Sequence, residues 1–132
     1  VELLQTIRTF ETAAMNAAQA HVEMEHLLHG GMYSRTARVK AGTVITGALI
    51  KRATVLIVQG DALMLMNGGF AELSGYNVFA ASAGRKQVFV ARGDVTITMI
   101  FPSAGTTVQD AEAEFTDETD LLLTRREGEP RA

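Results

Sequence analysis

Cysteine is absent from the 132-residue chain, which excludes disulfide stapling, thiolate catalysis and every Cys-ligated metal site. Tryptophan is missing too, only two prolines occur, and aromatic residues make up just 6% of the sequence. Apolar runs such as 55–58 and 63–66 fall far short of the ~20 residues that a membrane-spanning helix needs. Glu2, Arg8 and Glu11 interrupt the first residues, so these do not read as a secretory leader. The expectation is one soluble, intracellular domain. What is present agrees with that. Hydrophobic residues at 47% and charged residues at 20% are ordinary globular values, and twelve glycines are available for turns.

Charge is distributed unevenly. Residues 1–29 have four acidic side chains against Arg8, a net of −3. Residues 30–102 hold eight basic against three acidic side chains, a net of +5. Residues 103–132 hold three basic against eight acidic ones, a net of −5. A basic centre with acidic flanks suits a chain whose ends fold back on its middle, or one guided electrostatically to a partner. The central basic residues are not interleaved with aromatics, which argues against nucleic acid.

Leu3, Ile7, Phe10, Ala14, Ala17 and His21 recur at three- and four-residue spacing, and 13–20 is Ala-rich. Both features predict an amphipathic helix, with residues 1–29 forming a helical arm that ends at Gly30-Gly31. Between 32 and 101 the pattern changes to short β-rich runs at 33–39, 43–46, 54–58, 62–66, 70–73, 76–80, 87–91 and 95–101. Gly42, Gly60, Gly68-Gly69, Gly75, Gly84 and Gly93 fall in the breaks, where turns need them. Many short strands at near-regular spacing predict a mainly β sandwich or barrel. After Pro102, the spacing of Val108, Ala111, Phe115, Thr119 and Leu122 predicts an acidic helical extension over 103–132. Thr107 with Asp110 gives it a capping signal, and the charged tail from Arg125 should fray.

Chemistry-bearing clusters are few. His21, Glu23, Glu25, His26 and His29 form a ligand-rich stretch, and on a helix Glu25 would share a face with His21 and His29. A polar helix end is the simpler reading. None of the four serines sits in a nucleophile elbow. Arg92-Gly93-Asp94 reads as a tight hairpin turn.

Residues 39–47 followed by 54–62 resemble the first motif of the cupins, small jelly-roll barrels, with Gly42 and Gly60 as its opening and closing glycines. A weaker echo of the second motif runs from Gly75 through Ser82-Ala83-Gly84 to Gln87. The resemblance implies a jelly roll, and a metal held by two histidines and a glutamate from the first motif and a histidine from the second. Here the first two positions fall on Ala48 and Ile50, or on Gly47 and Leu49 one register away. The glutamate falls on Ala53 and the last histidine on Gln87. Imidazole and carboxylate donors are lost at every position, so the expectation is a barrel with no metal and no cofactor.

Residues 30–36, 47–51, 73–76, 81–87 and 98–102 are also similar to small cupin-like proteins of tailed bacteriophages, in particular capsid cement or decoration proteins. That resemblance implies a non-enzymatic virion structural protein, assembled in the host cytoplasm. It would dimerise and clamp the outer surface of a shell of major capsid protein, with no membrane and no direct nucleic-acid contact. Leu3, Leu4, Ile7 and Phe10 are candidates for docking on a neighbouring subunit, and Arg35, Arg38, Lys51, Arg52, Arg85 and Lys86 for binding a partner electrostatically. A metal-free cupin with a small apolar ligand is the alternative. A cupin-type enzyme, with Gln87, Tyr33 and Arg85 as suspects, is a third.

Overall fold

Alternation of apolar and polar side chains lays down nine antiparallel strands among the residues described by the computed structural model, 22–66 and 69–122. They are β1 (Glu23–His29), β2 (Met32–Val39), β3 (Val44–Thr46), β4 (Thr54–Gln59), β5 (Ala62–Met66), β6 (Gly69–Leu73), β7 (Tyr76–Ala81), β8 (Val88–Ala91) and β9 (Val95–Pro102). One helix, α1 (Val108–Phe115), and a 3-10 turn at Thr119–Leu121 follow. The strands build two sheets, ordered β1-β2-β9-β4-β7 and β3-β8-β5-β6. With β1 set aside, the eight remaining strands interleave between the sheets as two Greek keys, which is a jelly roll. β9 is typical: Val95, Ile97, Met99 and Phe101 point inward, while Thr96, Thr98 and Ile100 point out.

The helical arm expected over 1–29 is corrected at its end. Residues 23–29 are an edge strand paired with β2 along their whole length, from Glu23 opposite Arg38 to His29 opposite Met32. Val22, Met24, His26 and Leu28 alternate inward, a period of two. Gly30 and Gly31 do not stop a helix. With φ of 60° and 76° they form a two-residue hairpin loop of the type that needs positive φ at both positions. The proposed docking residues Leu3, Leu4, Ile7 and Phe10 lie outside the described residues, as does the tail from Arg125.

Two clusters fill the interior. One is built from residues such as Val39, Leu56, Val58, Met64, Phe89, Val95 and Ile97. The other gathers Tyr33, Ala48, Ile50, Met99, Phe101, Ala111, Phe115 and Leu122, where the C-terminal segment packs on one end of the barrel. The expected Thr107 cap is there, its hydroxyl accepting from the Asp110 amide at 3.1 Å. α1 ends at Thr116, so Asp117 and Glu118 lie beyond it and not on a longer helix. Lys51 reaches Asp117 at 2.6 Å, and the Leu49 amide donates to Glu118 at 2.8 Å. The acidic C-terminal flank thus folds back on the basic middle.

Gly60 shows why one turn glycine has no substitute. Its φ is 127°, and a Cβ there would lie 2.5 Å from the Asp94 carbonyl oxygen.

Candidate functional site

The end of the barrel beneath the C-terminal segment holds a partly open cavity of about 110 Å³. β1, β2, β3, β4, β8 and β9 supply its walls, and Phe115 and Leu122 close one side. Ala48, Ile50 and Gln87 all line it, so three of the four positions matched to motif donors converge where the resemblance places them. The register is now fixed: Ala48 and Ile50 are buried, while Leu49 is 44% exposed. Ala53 faces solvent and does not line the cavity. A methyl, a branched alkyl and an amide cannot replace imidazoles and a carboxylate, so these residues do not fit a divalent ion. No group of three or more metal-ligating side chains occurs elsewhere among the described residues.

The histidine-rich stretch changes meaning on a strand. Glu23, Glu25 and His29 point outward and His26 inward. Glu25 and His29 are then separated by four strand residues, about 13 Å, too far to share an ion. His26 instead stacks on Tyr33, and its Nδ1 lies 2.8 Å from the Tyr33 hydroxyl. His21 lies outside the described residues.

The basic candidates separate into buried and exposed groups. Arg35 points inward, donates to Glu112 Oε2 at 2.7 Å and to the Tyr33 hydroxyl at 3.2 Å, and lies over the Phe115 ring. Glu112 is 1% exposed, so this ion pair holds α1 to the barrel from inside. Burial raises the Tyr33 pKa, partly opposed by the neighbouring Arg35 charge. Arg85 is buried as well, and burial lowers its pKa. Enclosed in this way, Arg35 and Arg85 cannot form part of a partner-binding surface, which corrects that expectation. Arg52 donates to the Pro102 carbonyl at 2.7 Å and covers the Phe101 ring. Lys51 is held by Asp117, and Arg38 pairs with Glu25 across the β1–β2 ladder. Lys86 is exposed. Of the three residues suspected in an enzyme, only Gln87 lines the cavity.

A second feature lies outside the barrel and was not read from the sequence. β7, at one edge of the five-stranded sheet, turns Tyr76, Val78 and Ala80 outward. Behind them stand Val55, Ile57 and Gln59 of β4, then Thr96, Thr98 and Ile100 of β9. None of the nine is charged. Tyr76 is 64% and Val78 56% exposed. The opposite edge, β1, carries Glu23, Glu25 and His29. Charges on an edge strand discourage sheet-to-sheet pairing, and β7 has none. Its signal was the charge-free run at 76–81, visible only as a strand at the sequence level.

No protein-family model matches the sequence, and no curated protein does. Solved structures do. A cupin superfamily protein from Desulfitobacterium hafniense aligns with a TM-score of 0.53 at 15% identity, covering 64% of this chain and 79% of that one. KdgF from Halomonas sp. aligns at 0.51 and 18% identity, covering 63% and 82%. Salicylate 1,2-dioxygenase from Pseudoaminobacter salicylatoxidans aligns at 0.57 and 13% identity, over 84% of this chain and 34% of its own. These likenesses show the fold: a mainly β, cupin-type jelly-roll barrel with a C-terminal helix.

Proposed function

We propose that this chain is a non-enzymatic structural protein that dimerises and cements a protein shell. The major capsid protein of a tailed phage is the partner that the sequence resemblance suggests, which would place the chain on a virion surface. The observation that carries this reading is the uncharged β7 edge with the apolar face behind it, built on a barrel whose donor positions hold Ala48, Ile50 and Gln87. Covering what remains exposed of a half-buried valine such as Val55 or Val78 contributes about 1 kcal/mol, and a two-fold pairing of this face counts each residue twice. Repetition over a shell then makes modest contacts stable.

Light scattering on the full chain should give a dimer, and Val78→Asp should give a monomer with folding stability changed by no more than about 0.5 kcal/mol. A monomeric parent chain, or a dimer indifferent to Val78→Asp, would remove the interface. Failure to co-sediment with shells of major capsid protein would remove the cement role.

A second reading, a metal-free barrel that takes a small ligand, is favoured by the mostly apolar cavity itself.

A further inference from the structure

Arg85 is 4% exposed, and all of its hydrogen bonds go to neutral acceptors. Nε donates to Gln87 Oε1 at 3.1 Å, one terminal nitrogen to the Arg52 and Ser82 carbonyls, and the other to Thr54 Oγ1 at 2.6 Å. No carboxylate pairs with it among the described residues, whereas Arg35 has Glu112. A buried cation without a counter-charge is costly, and a fold that keeps one gains from an anion nearby.

Gln87 connects that cation to the cavity. A guanidinium can only donate, so Gln87 has to turn its Oε1 toward Arg85. Its NH2 group is then the free end, without a partner among the described residues, on a side chain that lines the cavity. Arg85 polarises the amide through this bond and makes the NH2 a stronger donor. The remaining wall is largely alkyl and aromatic, with Ala48, Ile50 and Phe115 among it, and the Glu112 charge near Arg35 is already held by that residue.

We propose that the cavity binds a short-chain monocarboxylate, its carboxylate on the Gln87 amide and its hydrocarbon body against Ala48, Ile50 and Phe115. This rests on the second reading above, that the cavity is a ligand site. The volume of about 110 Å³ approaches the ~150 Å³ of a cavity known to admit benzene, which leaves room for a body of about four to six carbons.

Titration of the full chain with sodium butyrate, butyramide, butylammonium chloride and benzene, followed by side-chain amide NMR, tests it. Butyrate should bind saturably and shift the Gln87 NH2 resonances, butyramide should bind about tenfold more weakly, and butylammonium should not bind. Gln87→Leu should lose about tenfold or more in butyrate affinity while keeping the parent chain's amide chemical-shift dispersion, which shows that the variant still folds. Equal binding of butylammonium and butyrate, or unchanged butyrate affinity in Gln87→Leu, would overturn the proposal. Benzene bound without butyrate would overturn the carboxylate and leave the ligand site standing. Neither bound would overturn both.

Discussion

The two interior clusters are stabilised by different means. Around Leu56, Val58, Phe89 and Ile97 the packing is apolar throughout, contributed by strands that alternate inward and outward. At the other end Tyr33, Phe101 and Phe115 meet edge-on and stacked, and an ion pair joins Arg35 to Glu112, 77 residues later in the chain. The first cluster follows from local pattern. The second exists only after α1 has docked, and the cavity lies between the two, lined by Leu56, Phe89 and Ile97 of the first and by Ala48, Ile50 and Phe115 of the second. The buried ion pair of this fold is therefore placed where distant segments meet, and the apolar cluster supplies the other wall of the cavity.

Removing one partner of the buried pair should separate the two ends most clearly. Glu112→Ala leaves the Arg35 charge enclosed and should cost about 3–5 kcal/mol in denaturant unfolding. The Arg35→Met/Glu112→Leu double variant should recover most of that loss. Equal losses in the single and double variants would mean that the pair itself does not hold α1. In the apolar cluster, Leu56→Ala should cost about 3 kcal/mol through the cavity it leaves. Hydrogen exchange distinguishes the two variants: Glu112→Ala should expose the amides of 108–116 first, and Leu56→Ala should weaken protection across both sheets.

Smaller in size is an alkaline effect confined to the aromatic end. Because burial raises the Tyr33 pKa above 10.0, its neutral phenol contributes stability fully below that pH. That contribution is lost as pH rises through the raised value. Tyr33→Phe should cost about 1 kcal/mol at neutral pH, from the bonds to His26 and Arg35. Above pH 10 its Tm should fall less steeply than that of the parent chain. Parallel Tm curves would mean that Tyr33 does not control the alkaline limb. Surface change should matter least to folding, as with Val78→Asp, whose effect belongs to association.

Eight of the nine strands were legible in the sequence to within a residue or two, because a half-buried strand writes its alternation into the chain. β9 is the clearest case, with Val95, Ile97, Met99 and Phe101 all inward. β1 was missed because the three- and four-residue spacing seen from Leu3 to His21 was carried on into 23–29. There Met24, His26 and Leu28 alternate, and two glycines announce a hairpin. The converging positions 48, 50 and 87 were legible through motif spacing. The inward turn of Arg35 and Arg85 was not, since nothing local distinguishes a buried arginine from an exposed one.

By itself the sequence determined the strand pattern, the turn glycines and the lack of imidazole and carboxylate at positions 48, 50 and 87, because each depends on residue type and neighbours close along the chain. Which charges are enclosed, which sheet edge is left without them, and which way Gln87 faces were decided by the tertiary structure alone. Those properties depend on what a distant segment brings, and Glu112 reaching Arg35 across the barrel is the plainest instance.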